Sequence, residues 1–334
     1  MKKMNIWFNH WFSTVYHIIN LIKKDVDINF FVVGTNEQED SVIKKACDLW
    51  EVEPRGLSEK EYIDYSLEFC QKYKIEIFVP RRNQFIICKN IELFDKIGVK
   101  VLVDRDIEKL KLLQNKRTTY ELFNDLELGY IPEYYCVNSL DGFKNAYIKL
   151  KEKHEKICFK FVKDEGGMSF KVIDDNIDIL YNASHAKVSF LDIANHLGNR
   201  KQIPEIMMMP YLSGKEISVD CLDTTDGLIA IPRFKTRGRA EVIKYDTDII
   251  NICRAFFDKC GIKYPCNIQF RYHNDNLYLL EINTRMSGGI QYSCLASGIN
   301  IPNIAINQLI GIRKKWIGNN EERKISYIEN PILL

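Results

Sequence analysis

Two hydrophobic periods alternate along the first hundred residues. Residues 4–8 form a short apolar strand, residues 14–24 carry Val15, Ile18, Ile19 and Ile22 at helical spacing, and residues 28–33 are again strand-like. This βαβ opening continues with a helix over 59–74, a strand over 75–80, a helix near 86–97 and a strand over 99–103. The alternation predicts a parallel, Rossmann-like sheet. No G-x-G-x-x-G follows the first strand; Asn9-His10-Trp11-Phe12 stands there instead, so the backbone cradle for a dinucleotide pyrophosphate is missing and no NAD is expected.

The pattern changes after residue 105. A single helix is expected over 106–126, capped by Asp106, with Leu110, Leu113 and Leu122 on one face and Lys116 in its middle, a position usually solvated. A strand and a helix over 140–153 precede a strand over 157–162 that carries Lys160. The turn Glu165-Gly166-Gly167-Met168-Ser169 and a strand over 170–173 complete a flap, whose backbone N–H groups and serine hydroxyl can cover phosphates while Lys160 supplies a point charge. Residues 182–201 are polar with helical spacing at Val188, Leu191, Ile193 and Leu197. The methionine run Met207 to Met209 reads as a buried strand.

A strand over 228–232 leads into a basic loop containing Arg233, Lys235, Arg237 and Arg239. Such a run is most often a solvated face, and a role in holding substrate or phosphate competes with that reading. A helix over 246–260 precedes the stretch richest in chemistry, NIQFRYHNDNLYLLEINTRMSGG. It reads as a β-hairpin turning at residues 273–276. Glu281 and Asn283 lie two apart in an extended arm and leave the same face, and Gln269 lies on the other arm. One carboxylate and two amide oxygens suit a hard cation such as Mg²⁺, with the remaining ligands from water and phosphate. Arg285 and a Met-Ser-Gly-Gly turn follow at once, placing an anion clamp beside the metal ligands. Helices over 291–299 and 303–312 come next, and from Lys314 onward the chain reads as a polar tail with a final short strand.

Composition narrows the function classes. With 334 residues and 46% hydrophobic content the chain can bury more than one core, and two or three domains are expected. Forty-seven basic against 45 acidic residues leave a net charge of +2, giving no electrostatic case for a nucleic-acid partner. The ten cysteines show no C-x-x-C and no paired histidine spacing, so they read as reduced core residues of a cytoplasmic protein. The N-terminal apolar stretch is broken by Asn5, Asn9, His10, His17 and Asn20, and neither a signal peptide nor a membrane partner is expected.

The hairpin motif E-I-N-T-R with its glycine turn, together with K-F-V-K-D-E-G-G-M-S-F-K-V and M-P-Y-L-S-G-K-E-I-S-V-D-C-L, resembles the ATP-grasp superfamily. The likeness is to its carbamoyl phosphate synthetase large subunit-like branch, and within that to stand-alone proteins of tellurite-resistance operons. The resemblance implies an α/β chain with the α+β ATP-grasp fold: an N-terminal Rossmann-like parallel sheet over 1–105, a two-lobed ATP-grasp domain over 106–315 with a mobile small lobe about 131–212, and a tail over 316–334. It implies that Lys116, Lys160, Gly166, Gly167 and Ser169 hold the ATP phosphates. Backbone groups of the strand at Met209 and Tyr211 would pair with the adenine edge, Leu280 would also contact the nucleotide, and Glu216 would accept from the ribose hydroxyls. Gln269, Glu281 and Asn283 would hold two Mg²⁺ ions, for which Mn²⁺ can substitute, and Arg285 would act in catalysis. Phe161 and Lys171 depart from the usual proline and glycine of the flap. The implied reaction phosphorylates a small-molecule carboxylate with ATP and passes the acyl group to an amine, in a monomer or homodimer. A carbamoyl phosphate synthetase-like or carboxylase half-enzyme using bicarbonate or carbamate, and a non-catalytic ATP sensor, stand as alternatives. The single copy of the motifs and the retained metal ligands favour the ligase.

Overall fold

A computed structural model describes residues 1–163, 167, 169–177, 186–236, 238–329 and 331–333. Its first five strands, β1 (Lys2–Asn9), β2 (Ile28–Asn36), β3 (Leu49–Val52), β4 (Ile77–Pro80) and β5 (Lys100–Val101), form one parallel sheet in the order β3-β2-β1-β4-β5. Helices α1 (Val15–Ile22), α2 (Glu59–Lys72), α3 (Gln84–Lys89), α4 (Ile91–Lys96) and α5 (Ile107–Leu113) connect or follow these strands. Strand β3 has no counterpart in the expected pattern. The helix expected near 86–97 is two helices, because the Asn90 side chain donates back to Ile86 O at 2.9 Å and breaks the run.

The helix expected over 106–126 is likewise two, α5 and α6 (Lys116–Asp125). Asn115 caps the second by accepting from the N–H groups of Arg117 and Thr118, and the Thr118 and Thr119 hydroxyls both donate to Leu112 O. Lys116 therefore opens a helix rather than sitting in the middle of one, and it is buried. Next come β6 (Tyr135–Val137), α7 (Leu140–Lys151), β7 (Ile157–Phe161), β8 (Lys171–Ile173), β9 (Lys187–Val188), α8 (Phe190–Gly198) and β10 (Ile206–Pro210). The five strands among them make a second sheet, ordered β6-β10-β7-β8-β9. On α8, Leu191 faces outward and Ala194 takes its place on the buried side. The remaining elements are β11 (Glu216–Thr224), β12 (Gly227–Lys235), β13 (Glu241–Ile243), α9 (Thr247–Cys260), β14 (Cys266–His273), β15 (Asn276–Asn283), α10 (Ile290–Ser297), α11 (Ile301–Leu309) and β16 (Arg323–Ile325).

The chain folds as two compact units. The first comprises Met1–Lys111, Ile217–Ile268 and Asn283–Leu334; the second comprises Leu112–Glu216 and Gln269–Ile282. In the first, one face of the parallel sheet packs Trp7 against Phe78 and Phe69 over α2 to α4. The other face shares a core with α1, α10, α11 and the apolar residues Leu222, Ile229, Ile231 and Ile243. Strand β16 pairs with β13, so part of the expected tail belongs to a sheet. In the second unit, Phe143, Leu150, Phe159, Leu197 and Met208 form the core between α7, α8 and the second sheet. The methionine run does lie in a buried strand, at 0–3% exposure for Met207 to Met209. All ten cysteines are free thiols, seven of them buried, and no described helix is long and apolar enough to cross a membrane.

Candidate active site

In the second unit three elements bring two lysines to one carboxylate. Capping by Asn115 turns Lys116 inward, where its Nζ lies 3.9 Å from Glu281 Oε2 on β15. Lys160 projects from β7, between strands β10 and β8, and donates to Leu280 O at 2.8 Å. Tyr120, one helical turn after Lys116, donates its hydroxyl to the same carbonyl at 2.9 Å and lies 3.4 Å from Lys160 Nζ. Burial lowers the Lys160 pKa to about 8; the Glu281 carboxylate opposes that shift and the Lys116 ammonium adds to it. Burial also pushes the Tyr120 phenol up, helped by Glu281, so it stays a donor at neutral pH. One ammonium group lies beside the Glu281 carboxylate and a second sits on the neighbouring Leu280 carbonyl, an arrangement suited to an anion accompanied by a divalent cation.

Gln269 and Arg271 share a face of β14, the strand beside β15. The Arg271 guanidinium binds the Glu216 carboxylate and donates to Leu212 O at 3.1 Å, and it lies 5.9 Å from the centre of the Tyr211 ring. Glu216, expected to meet ribose hydroxyls, thus has an arginine on it, and Arg271 was not foreseen. Tyr211 lies 6.5 Å, centroid to centroid, from Phe170, and Met209, two residues before Tyr211, is buried. Gly214 is required by close approach, because a Cβ there would penetrate Tyr272 O. Gly167 is exposed at φ 67°, and Ser169 accepts from Phe161 N–H at 2.8 Å, tying the turn to the strand that carries Lys160. Gly166 lies outside the described residues.

Asn283 closes β15 two residues beyond Glu281 and belongs, with Arg285, to the first unit. There the Arg285 guanidinium lies over the Phe12 ring at 5.4 Å. The turn after it is held by Arg233, which is 3% exposed. Arg233 donates to Asp220 at 3.0 Å, Ser218 at 3.1 Å and Ser287 at 3.2 Å and also binds Glu241. This corrects the reading of Arg233 as a cation of a basic loop: it is a buried clamp on β12. Arg239 pairs with Glu329 at 3.3 Å, and Arg237 lies outside the described residues. Among the described residues no group of three or more His, Cys, Asp or Glu could hold a metal ion.

A parallel sheet, a second, mostly antiparallel sheet with a lysine-bearing strand, and a hairpin carrying E-x-N are on one chain, and known proteins are similar to it. A model described as "ATP-grasp in the biosynthetic pathway with Ter operon" matches residues 202–331. The ADP complex of PurK, N5-carboxyaminoimidazole ribonucleotide synthetase, superposes with a TM-score of 0.68 over 96% of this chain and 79% of that one, at 13% identity. The fold is that of ATP-grasp enzymes, and residues 202–331 are similar to an ATP-grasp family. The L-amino acid ligase of Bacillus licheniformis shares the ATP-grasp fold with a TM-score of 0.65, covering 92% of this chain and 75% of that one at 11% identity. Among curated relatives, this chain is 27% identical over 312 residues to the carbamoyl phosphate synthase large chain of Clostridium botulinum (strain Langeland), covering 76% of this chain. The chain spans only 28% of that relative's length.

Proposed function

We propose that this chain is an ATP- and Mg²⁺-dependent ligase that joins a small-molecule carboxylate to an amine through an acyl phosphate. The observation that carries the reading is the corner in which Lys116 lies beside Glu281 and Lys160 is bound to the adjacent Leu280 carbonyl. A triphosphate would there meet two ammonium groups and a carboxylate able to share its cation. Bound Mg²⁺ would supply charge neutralisation for the γ-phosphoryl group, with Glu281, Gln269 and Asn283 as its protein ligands. Lys160 and Lys116 would hold the phosphate oxygens, Ser169 and Gly167 would exclude water from above, and Arg285 would orient the acid for attack. The name of the L-amino acid ligase neighbour is in keeping with a ligase on a small acid.

The test measures ADP release with ATP and Mg²⁺ against pools of carboxylates and amines. ADP formation that requires one member of each pool supports the ligase. Arg285→Lys should then keep ATP affinity while turnover falls roughly 10²-fold, the size expected for losing one bidentate charge-stabilising donor. The carbamoyl phosphate synthase relatives favour a second reading. In it bicarbonate alone drives ADP release, and that result would displace the first. ATP binding without ADP release under every condition would leave a sensor.

A further inference from the structure

The carboxyl ends of the parallel strands in the first unit hold a second cluster of cations. In the order β3-β2-β1-β4-β5 the chain reverses direction of winding between β1 and β4, and open α/β sheets receive ligands in the crevice outside such a switch point. The loops at this point are residues 10–14 after β1 and 81–83 after β4. Asn9, fully buried, locks them together: its Oδ1 accepts from Arg81 N–H at 2.7 Å and its Nδ2 donates to Arg82 O at 3.3 Å. Both loops pass through left-handed backbone at non-glycine residues, His10 at φ 44° and Asn83 at φ 61°. Such strain persists only where the surroundings over-determine it, and it concentrates at ligand sites.

Phe12 is the ring shared by two of these cations. Arg81 lies 5.6 Å and Arg285 5.4 Å from its ring centroid, which puts the two guanidinium carbons within about 11 Å of each other. Arg82, next in sequence, is bound to Glu37. A third wall is the glycine turn: a Cβ on Gly288 would come within 3.1 Å of Thr14 Oγ1 and 3.5 Å of Phe12. His10 Nδ1 and Thr14 Oγ1 are buried and find no hydrogen-bond partner among the described residues. Cations and polar groups from three separate elements are therefore gathered around one aromatic ring at the switch point, a pattern for grasping a compact anion.

We propose that this crevice receives a second anionic group of the acid substrate, so that the preferred acid carries two negative groups, a dicarboxylate or a phosphorylated carboxylate. Arg285 takes the carboxylate to be activated and Arg81 takes the other group, with Phe12 spacing the two. This rests on the ligase reading only in its assignment of Arg285.

The test is calorimetric titration of the full chain, with and without ADP and Mg²⁺, using succinate, glutarate and 3-phosphoglycerate against butyrate. The dianionic acids should bind at least tenfold tighter than butyrate. Arg81→Gln should erase that preference, a loss of roughly 10- to 100-fold for one charge-assisted pair, while Arg81→Lys keeps part of it. A preference among the dianions then separates a carboxylate from a phosphate occupant. Equal or absent binding of all four acids overturns the proposal, as does a preference that survives in a folded Arg81→Gln variant. If the preference is found but none of these acids drives ADP release with any amine, the anion site stands and the ligase reading fails.

Discussion

Lys160 links nucleotide binding to a proton. Its ammonium is buried against Leu280 O and Tyr120, and its pKa falls from 10.5 to about 8. A triphosphate beside it would restore the charged form, so the proton that burial expels at pH 8 returns on binding. About half a proton should be taken up per ATP at pH 8, little at pH 6.5 and nearly one at pH 9.5. Affinity should hold below pH 8 and fall about tenfold for each unit above it. The same shift makes the nucleotide-free fold gain stability as pH rises, because the unfolded chain binds this proton more tightly. That gain spans pH 8 to 10.5 and totals about 3 kcal/mol. Calorimetry of MgATP binding in buffers of different ionisation enthalpy reads the uptake directly, since MgATP itself is fully ionised at pH 8. Lys160→Arg keeps a permanent cation and should abolish the linkage. Wild-type uptake of zero at pH 8, or equal uptake in the arginine variant, would refute the argument.

Further outcomes follow from the same contacts. Glu281→Gln and Asn283→Ala should abolish turnover, and Glu281→Gln should flatten the Mg²⁺ dependence of ATP binding; unchanged ADP production in both would remove them from the metal site. Arg233→Met leaves Asp220, 1% exposed, without its guanidinium and should cost about 3–5 kcal/mol in urea unfolding, against under 1 kcal/mol if the ion pair is dispensable. Asp25 is held well below the usual carboxylate range: burial would raise it, but the amides of Asn303 and Asn307 and the N–H groups of Asp27 and Ile28 outweigh that. It stabilises the fold above the normal carboxylate pKa and loses that contribution as pH falls below it, so Asn307→Leu should shrink the stability difference between pH 7 and pH 3 in denaturant titrations.

Much of the fold was legible because its strands and helices keep clean periods. Val15, Ile18, Ile19 and Ile22 are all buried on α1, and the capping box of Ser58 and Glu61 starts α2 at the expected residue. What escaped was set by local competition for backbone groups. Asn90 and Asn115 each interrupt a run that apolar spacing alone would carry through, because a short amide side chain can satisfy a backbone group and end a helix. Strand β3 escaped because its four residues, Leu49 to Val52, are only half-buried or exposed and alternate weakly.

The site divides in the same way. Glu281 and Asn283 were readable from strand alternation, and Lys160 from its place in an apolar strand. Tyr120 and Arg271 were not, since their partners Leu280 and Glu216 are 160 and 55 residues away and no local pattern encodes them. Arg233 is the instructive case, because a signal for it existed. Ile229, Ile231 and Arg233 occupy alternate positions of β12, and both isoleucines are buried, so the arginine continues the core face of a strand rather than opening a solvated loop. A buried guanidinium demands an acid within reach, and Asp220 sits on the adjacent strand β11, paired opposite Ile231 and one diagonal step from Arg233. The clamp leaves no room beside it: a Cβ on Gly289 would fall 2.5 Å from Arg233 Nη1. The second glycine of the Met-Ser-Gly-Gly turn is therefore fixed by an ion pair on neighbouring strands, and through that turn the same buried charge positions Arg285.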